Sequence, residues 1–330
     1  MRAVVLVGGE GTRLRPLTLT RPKQMLPILG ETMLERVLRS LSRHAITDAV
    51  LSLGYRPDAF LRAFPSGRAG GVRLRYAVED TPLDTAGAIR FAAWEAGFDD
   101  ERLLVVNGDV LTDLDITALV RFHEASGAEA TLSLHQVEDP SAFGVVPTAP
   151  DGRVLEFVEK PKREDAPTDW INAGTYVLEP EAVARIPLRE RVSIERVTFP
   201  AIAAEGRLHG FQWKGQWVDA GTPETYRASQ LDLLEFPPGR WYGPGVIVDG
   251  SVTRSVVGAR SHIGAGATVT DSVLLPRVVV GPSASVAGSV LGEGVIVGPA
   301  AMVNDCVLGD GDVVLPGEIL AGVRRPQPSP

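Results

Sequence analysis

Residues 3–18 read AVVLVGGEGTRLRPLT, and this stretch decides how the amino-terminal part of the chain is interpreted. A short β-branched run ends in glycines, and the cations Arg13, Arg15 and Lys23 follow within a span of eleven residues. Glycines after a strand let backbone N–H groups approach a phosphate closely, and the cations add positive charge at the same place. The stretch therefore predicts a polyphosphate-binding loop at the carboxyl end of a first strand.

Two other phosphate-binding motifs are excluded by their spacing. The P-loop motif Gly-x-x-x-x-Gly-Lys-Ser/Thr is absent from the chain. The dinucleotide fingerprint that would begin at Gly9 requires a third glycine where the chain has Leu14. A plain structural turn stays open as the alternative to a phosphate loop.

The chain up to residue 234 alternates between short β-branched runs and helical patterns. Strands are predicted at residues 3–7, 49–53, 72–78, 103–106 and 130–137. Apolar residues recur at helical spacing after residue 33 and again after residue 116. This order predicts an α/β domain over residues 1–234 with a doubly wound, mainly parallel sheet that binds ligands outside the carboxyl ends of its strands.

A repeat of seventeen residues fills the end of the chain. A cluster of helix-breaking residues predicts a linker at 235–245, and residues 246–330 then form a second domain. Three aliphatic columns are predicted, and they contain Val246, Ile263, Val280 and Val297; Val252, Val269, Val286 and Val303; and Val256, Val273, Val290 and Val307. Small aliphatic residues at six-residue spacing within each row predict a parallel β-helix of the hexapeptide type. The last row, 308–324, is expected to lose the later columns and to act as a cap.

Composition limits the possible partners and the cellular setting. The chain has 33 basic and 41 acidic residues and a net charge of −8, which argues against binding to nucleic acid or to anionic membranes. The apolar start is too short for a signal peptide, and no apolar run reaches the length of a membrane span. The one cysteine, Cys306, excludes an internal disulfide and is expected to be a buried structural thiol. We therefore expect a cytoplasmic protein without a membrane partner.

Five motifs occur in the order in which a known family has them. Residues 7–18 with Pro22 and Lys23 resemble the signature of the sugar-1-phosphate nucleotidyltransferases. The other motifs are EKP at 159–161, INAGTY at 171–176, SIE at 193–195 with FP at 199–200, and WVDAGTP at 217–223. The resemblance implies a Rossmann-like nucleotidyltransferase domain followed by a left-handed β-helix.

The resemblance also implies roles for individual residues. It implies catalytic roles for Arg13, Lys23 and Lys160, and a magnesium ion held by Asp109 and Asp219. On the nucleotide side it implies Leu6, Gly8, Gly9, Gly11, Thr12, Arg13, Lys23, Thr85, Gly87 and Asp109. On the sugar-phosphate side it implies Gly144, Glu159, Lys160 and Asn172. In the nucleotide-side loop Asp84 stands where the family usually has glycine.

The reaction implied by the resemblance joins a nucleoside triphosphate to a sugar 1-phosphate and releases pyrophosphate. The motifs favour GTP and mannose 1-phosphate, with GDP-mannose as the product. Thymidylyl, uridylyl or adenylyl transfer to another hexose or heptose 1-phosphate stays open, as does a catalytically silent relative that binds nucleotide sugars. An acyltransferase site on the β-helix, with His262 as base, is a third alternative. Flat coil walls are expected to mediate homo-oligomerisation.

Overall fold

The computed structural model describes residues 1–54, 56–234 and 239–326, which form two compact units. The first unit contains Met1–Gly9 and Leu34–Trp217, and the second contains Glu10–Met33 and Val218–Pro330. Most of the predicted phosphate loop therefore belongs to the same unit as the carboxyl-terminal repeat. The breaker residues 235–238 of the predicted linker lie outside the described residues.

The first unit is built on a sheet whose centre is parallel. Arg2–Leu6 pairs with Asp48–Leu53 on one side and with Leu103–Asn107 on the other, and Val72–Val78 continues the sheet beyond Asp48–Leu53. Trp170–Leu178 then runs antiparallel to Leu103–Asn107. The predicted strands lie within about a residue of the observed ones, and the parallel order is confirmed for the centre of the sheet.

Further strands complete the two sides of this sheet, several of them antiparallel to their neighbours. These strands are Arg68–Ala69, Ala130–Gln136, Gly144–Val145, Val158–Glu159 and Leu208–Gln212. Two short strands lie outside this sheet: Val110–Thr112, which follows Leu103–Asn107 in the chain, and Trp217–Asp219, which follows Leu208–Gln212. The sheet is therefore mixed, with several antiparallel strands beside its parallel centre.

Helices cover the sheet of the first unit. They are Met33–Arg43, Pro57–Ala63, Asp84–Ala96, Ile116–Ser126, Pro180–Ala184, Phe199–Ala204 and the π-helical turn Ile194–Thr198. The helix Ile116–Ser126 illustrates the local control of their ends: the Asp115 carboxylate accepts the Ala118 N–H at 3.0 Å, and Gly127 ends the helix at φ 61°. The core between sheet and helices buries Val4, Val105, Tyr176 and Phe199.

The second unit contains a stack of parallel coils. Their strands form three ladders, and the clearest runs through Val252, Val269, Val286, Val303 and Leu320, all directly paired. The ladders are Arg240–Tyr242, Ser255–Val257, Val273–Leu274, Val290–Leu291, Val307–Leu308 and Arg324–Arg325; Ile247–Val248, His262–Ile263, Val279–Val280, Ile296–Val297 and Val313–Val314; and Ser251–Thr253, Thr268–Thr270, Ser285–Ala287, Met302–Asn304 and Ile319–Ala321. The stack is a left-handed parallel β-helix of the hexapeptide type, as predicted.

Two details of the predicted repeat are wrong. Val248, not Val246, pairs with Ile263, because the first coil is two residues shorter than the others. The third predicted column is confirmed, because its four valines are directly paired and buried. The residues that follow them in the chain, such as Leu274, face the apolar core of the coils. The last row also keeps buried aliphatic residues at 314 and 320, and its third position is the polar residue Arg324.

A ladder of small polar side chains supports one corner of the coils. The N–H groups of Ser272, Ser289 and Cys306 donate to the Oγ of the serine seventeen residues earlier, at 3.0–3.1 Å. Cys306 Sγ in turn lies 3.0 Å from the Asn304 carbonyl, in the place where the serines donate to the backbone. The expectation of a buried structural thiol is therefore confirmed.

The remaining elements of the second unit precede or flank the coils. They are the 3-10 turns Thr12–Leu14 and Lys23–Met25, the short strands Pro27–Ile28 and Glu31–Thr32, and the helix Pro223–Asp232. The first coil strand, Arg240–Tyr242, pairs with Ser255–Val257 and so lies inside the predicted linker. Within the ranges that the structure describes, every helix is too short or too polar to cross a bilayer.

Candidate functional site

The carboxyl edge of the parallel strands carries several predicted site residues of the first unit. Leu6 pairs with Asn107, and the Gly108 N–H donates to the Leu6 carbonyl at 2.9 Å, so Asp109 follows directly at this edge. A Cβ on Gly108 would lie 2.4 Å from Val7 Cγ1, which requires glycine there. Two adjacent strand ends thus place Leu6 and Asp109 at the same edge of the sheet.

The predicted sugar-phosphate residues are neighbours within the first unit. Gly144 pairs with Glu159, and the Lys160 N–H donates to the Phe143 carbonyl at 3.0 Å. A Cβ on Gly144 would lie 2.5 Å from the Phe157 ring and 3.1 Å from Glu159 Oε2, so a side chain there would displace the carboxylate. The geometry brings Gly144, Glu159 and Lys160 together as predicted from their motifs.

Lys160 is held in an unusual backbone conformation. Its φ is 49°, in the left-handed region that non-glycine residues rarely adopt. Its Nζ lies 3.3 Å from Glu159 Oε1, and its side chain is 60% exposed. Strain of this kind is retained where the surrounding structure determines the conformation, and it often marks functional positions.

Asn172 is oriented by its own strand. Its Nδ2 donates to the Tyr176 hydroxyl at 2.9 Å, and its Oδ1 accepts the Gly174 N–H at 3.1 Å. Tyr176 is buried, and burial is the main cause that raises its pKa well above the ordinary value, so the hydroxyl stays protonated. Asn172 is therefore presented in one orientation, with part of its hydrogen-bonding capacity already used.

The nucleotide-side loop comprises residues 79–87, so it includes the first turn of the helix Asp84–Ala96, and it is held in place at several atoms. Thr85 Oγ1 donates to Glu195 Oε2 at 2.6 Å and accepts the Ile194 N–H at 2.9 Å. A Cβ on Gly87 would lie 2.2 Å from the Glu190 carbonyl, so Gly87 permits the close approach of this segment. Thr85 and Gly87, predicted on the nucleotide side, thus hold the loop in place through their own contacts.

Two residues of this loop explain features that the sequence left open. Asp84 has φ 60°, so its backbone is left-handed, which explains why relatives usually have glycine at this position. The Asp84 Oδ1 accepts the Thr85 N–H at 2.8 Å. Glu79, which the sequence analysis did not single out, accepts from Ser52 Oγ and from the Leu83 N–H, each at 2.9 Å. Its only sequence signal is its place at the end of a predicted strand.

In the second unit, three predicted residues meet at one carboxylate. Lys23 Nζ lies 3.0 Å from Asp219 Oδ1, and Arg13 Nη2 lies 3.6 Å from Asp219 Oδ2. The Lys23 side chain is only 6% exposed, which strengthens its interaction with the carboxylate. Residues more than 190 positions apart in the chain are thus brought together.

Glycines leave room around this cluster. A Cβ on Gly221 would lie 2.8 Å from Arg13 Nη2 and 3.0–3.1 Å from both Asp219 oxygens. Gly11, at φ 64°, accepts the Thr18 hydroxyl at its carbonyl at 2.8 Å, and it precedes the turn that begins at Thr12. The absence of side chains at these positions keeps the two cations and the carboxylate in contact.

The chain just after the first strand is closely packed at Gly8 and open at Gly9. A Cβ on Gly54 would lie 3.2 Å from the Gly8 carbonyl, so the backbones of two strand ends are closely packed at Gly8. A Cβ on Gly9 would meet no atom within 4 Å. Gly9 itself is exposed.

The donor chemistry of the aspartates suits a hard cation. A carboxylate offers about four lone-pair sites. At Asp219 the Lys23 ammonium group uses one of them, and Arg13 lies 3.6 Å away as an ion pair without a hydrogen bond. Asp109 carries the same donor atoms, and Mg²⁺ prefers such oxygens together with water. In the described part of the chain no group of three or more His, Cys, Asp or Glu side chains forms a ready-made metal cage. Each of the two carboxylates, taken by itself, offers oxygen atoms of the kind that such an ion prefers.

Comparison with protein families agrees with this geometry. The family model described as nucleotidyl transferase matches residues 2–235. The chain belongs to the nucleotidyl transferase family. A second model, described as the GlmU-like carboxyl-terminal hexapeptide, matches residues 242–306. The phosphate loop, the aspartates and Lys160 all lie within the first match, and the coils lie mostly within the second.

Individual relatives cover much of the chain. A mannose-1-phosphate guanylyltransferase of Mycobacterium tuberculosis is 44% identical over 234 residues, which are 70% of this chain and 64% of that protein. A mannose-1-phosphate guanyltransferase of Aspergillus fumigatus is 41% identical over 229 residues, 68% of this chain and 62% of that protein. The chain thus matches somewhat less than two thirds of the length of these relatives.

Solved structures resemble about 70% of the chain. A Bacillus anthracis protein described as a glucose-1-phosphate thymidylyltransferase has a TM-score of 0.63 and 25% identity, and covers 72% of this chain and 97% of its own. HddC from Yersinia pseudotuberculosis has a TM-score of 0.60 and 28% identity, and covers 70% of this chain and 98% of its own.

Proposed function

We propose that this protein transfers a nucleotidyl group from a nucleoside triphosphate to a sugar 1-phosphate and releases pyrophosphate. The observation that carries the proposal is the cluster in which Lys23 and Arg13 both contact Asp219. Two cations share the single negative charge of Asp219, so the cluster keeps net positive charge and can attract a polyphosphate to a protein that is acidic overall. The membership of the nucleotidyl transferase family supports the same class of reaction.

The proposed step is an in-line attack by an oxygen of the sugar 1-phosphate on the α-phosphorus of the triphosphate. The new P–O bond forms as the bond to the pyrophosphate oxygen breaks, and no covalent enzyme intermediate is required. The protein contributes position and charge compensation, which dominate catalysis of this class. Arg13 and Lys23 hold the leaving pyrophosphate, while Lys160 holds the attacking phosphate and Glu159 and Asn172 bind sugar hydroxyls.

We assign the remaining nucleotide contacts by the same reasoning. The backbone of Gly8, Gly9, Gly11 and Thr12 is proposed to donate to phosphate oxygens, and Leu6 to border the base. Thr85 and Gly87 are proposed to act on the nucleotide through the loop that they hold, since the Thr85 hydroxyl already bonds Glu195.

A divalent ion, most simply Mg²⁺, is part of the proposal. Asp219, and Asp109 at the edge of the sheet, are the residues that would hold it. When bound, such an ion neutralises developing charge on phosphate oxygens. Asp219 then has a second task, because its carboxylate also orients Lys23 and Arg13.

Mannose 1-phosphate and GTP are the proposed substrates, and GDP-mannose the product. The support is the 41–44% identity to proteins named as mannose-1-phosphate guanylyltransferases or guanyltransferases. The structural likeness to the Bacillus anthracis protein makes thymidylyl transfer to glucose 1-phosphate the competing pair. Base choice depends on a few hydrogen bonds near the loop that contains Asp84, where this chain departs from glycine.

A pyrophosphate-release assay tests the proposal. The full chain is supplied with each of GTP, dTTP, UTP, ATP and CTP, against mannose, glucose and other hexose or heptose 1-phosphates, with Mg²⁺ present. The expected result is fastest release with GTP and mannose 1-phosphate. Release with no pair would overturn the proposed reaction and favour a binding-only relative, whereas release with another pair would overturn only the proposed substrates. Acetyl-coenzyme A turnover would instead support the acyltransferase alternative.

Self-association through one coil wall is proposed for the second unit. A column of paired outward-facing residues, Ile247, His262, Val279, Ile296 and Val313, is mostly apolar and exposed. A second copy of the same wall would cover it by isologous packing. Sedimentation of Ile296→Lys should show loss of an oligomer that Thr268→Lys, on another wall, retains. A monomeric wild-type protein would refute this proposal.

A further inference from the structure

Arg21 joins the segment that carries the proposed phosphate cations to the coils of the same unit. Its Nη2 lies 2.5 Å from Glu293 Oε2 and 2.6 Å from Asp310 Oδ2. These acids lie on the coils about 270–290 positions later in the chain. Arg21 stands two residues before Lys23, whose own contact is with Asp219.

The contact is well built and largely shielded from water. Arg21 and Glu293 have side chains that are 21% exposed, and Asp310 is less exposed still. Burial alone would lower the pKa of Arg21, but the carboxylates of Asp310 and Glu293 raise it overall. Charge-assisted hydrogen bonds of this kind are stronger than neutral ones.

Neighbouring contacts fix the same segment to the same coils. Thr20 Oγ1 donates to Asp310 Oδ2, and the Glu293 N–H donates to Asp310 Oδ1 at 2.8 Å, so the two acids are themselves linked. A Cβ on Gly309 would lie 3.1 Å from Pro16 Cβ. The stretch between Arg13 and Lys23 therefore rests on the coils at Pro16 and again at Thr20 and Arg21.

We infer that Arg21 is a positioning residue through which the β-helix sets the place of Lys23 and Arg13 in the phosphate loop. The inference rests on the proposed function for what the two cations bind. Two residues of extended chain span at most about 7 Å, so a displacement at Arg21 is passed to Lys23 with little room to be absorbed. The coils then contribute to catalysis by holding the loop, in addition to any part in assembly.

Removal of Arg21 should change the constants for pyrophosphate and leave those for the sugar unchanged. In Arg21→Gln we expect the KM for pyrophosphate, measured in the reverse direction, to rise about tenfold or more, with a fall of similar size in kcat. The KM for the sugar 1-phosphate should stay within about twofold, because its proposed partners belong to the first unit. Hydrogen exchange of amides 12–25 should become faster.

A matched control is available on the same carboxylate. Arg277 Nη2 lies 2.8 Å from Glu293 Oε1, but Arg277 is exposed and lies outside the phosphate segment. Arg277→Gln should therefore change neither the pyrophosphate constants nor the exchange of amides 12–25. Equal effects of the two substitutions would overturn the inference, because they would show that only the charge near Glu293 matters.

A second variant separates positioning from stability. Arg21→Gln leaves Glu293 and Asp310 with less compensation, which by itself destabilises a protein. The triple variant Arg21→Gln, Glu293→Gln, Asp310→Asn removes that penalty, so it should regain stability towards urea without regaining the pyrophosphate constants. Recovery of both the stability towards urea and the wild-type constants for pyrophosphate would overturn the inference.

The outcomes also separate this inference from the proposed function. If wild-type protein releases no pyrophosphate with any substrate pair, the proposed function fails, and the exchange of amides 12–25 still tests the tie to the coils. If wild-type protein is active and Arg21→Gln matches it in pyrophosphate KM and in exchange, the inference fails and the proposed function stands.

Discussion

Lys23 Nζ lies 3.0 Å from Oδ1 of Asp219, so a cation proposed for the pyrophosphate and an acid proposed for the metal form one ion pair. The pair sits in a protein of net charge −8, where an uncompensated acid would repel a triphosphate. With Arg13 on the other oxygen, Asp219 is already neutralised before any ligand arrives. We therefore expect the behaviour of Lys23, Arg13 and the divalent ion to depend on this one carboxylate.

Asp219→Asn should lower turnover at least about 100-fold, because it removes both a metal ligand and the partner of two cations. When pyrophosphate release is measured against Mg²⁺ concentration, Asp219→Asn should need a much higher concentration of the ion than wild-type protein needs. Chelation of the ion should abolish wild-type activity. Asp232→Asn, at the exposed end of a helix in the same unit, is the control and should behave as wild type. An unchanged Mg²⁺ dependence in Asp219→Asn would contradict the assignment.

Lys160→Ala should reduce kcat/KM for the sugar 1-phosphate at least about 100-fold, since it removes the charge proposed to hold the attacking phosphate. The KM for the triphosphate should change little. Lys162→Ala provides a neighbouring exposed lysine as control. Equal loss in both variants would show that general positive charge, rather than the constrained Lys160, is responsible.

Asp84 has φ 60°, and its substitution tests backbone strain. Asp84→Gly should stay within about 0.5 kcal/mol of wild type in urea unfolding, because relief of the left-handed conformation offsets the lost hydrogen bond to Thr85 and the greater freedom of the unfolded chain. Asp84→Val should destabilise by about 1–2 kcal/mol, because a β-branched residue is disfavoured there. Comparable stability of the two variants would argue against strain at this position.

Acid should destabilise the first unit through its histidines. Burial, the largest cause in each case, lowers the pKa of His123, His135 and His209 below the ordinary value of 6.5. Below pH 6.5 the unfolded chain binds protons at these histidines more readily than the native protein does. The contribution of the neutral histidines to the free energy of unfolding is therefore complete above pH 6.5 and is lost as the pH falls below it.

His123 offers the cleanest test of this dependence. Its ring contacts Thr131 and Glu179, with Arg102 and Glu124 close by, and the Glu179 pKa is lowered, so Glu179 stays ionised in this range. The free energy of unfolding of His123→Gln, measured by urea between pH 7.5 and 5.5, should fall less steeply than that of wild type. Parallel curves would contradict the predicted role of His123.

The corner ladder of the coils predicts a contrast between two substitutions. Ser289→Ala removes the acceptor for the Cys306 N–H, which is buried, and should cost about 1–3 kcal/mol in urea unfolding. Cys306→Ser should cost less than about 1 kcal/mol, because serine occupies the same place in the preceding coils. A larger loss in Cys306→Ser than in Ser289→Ala would contradict the ladder.

Much of the fold could be predicted because its signals are local. The strands of the first sheet follow from β-branched runs, and the coils follow from a seventeen-residue repeat in which Val252, Val269 and Val286 are directly paired. The site residues were predicted from motifs that resemble a family. The register of the first coil could not be predicted from the repeat. Val246 lies seventeen residues before Ile263, as the repeat requires, but the first coil is shorter, so Val248 is the residue that pairs with Ile263.

The sequence by itself determined the alternating α/β order, the coil repeat and the identity of the glycines and charges in the loop after the first strand. These are properties of neighbours in the chain, since periodicity and backbone freedom act over a few residues. Only the tertiary structure decided that residues 10–33 join the coils, and that Arg21 meets Asp310 across 289 positions. Such pairs depend on how the packed elements meet, and no local pattern in the sequence encodes them.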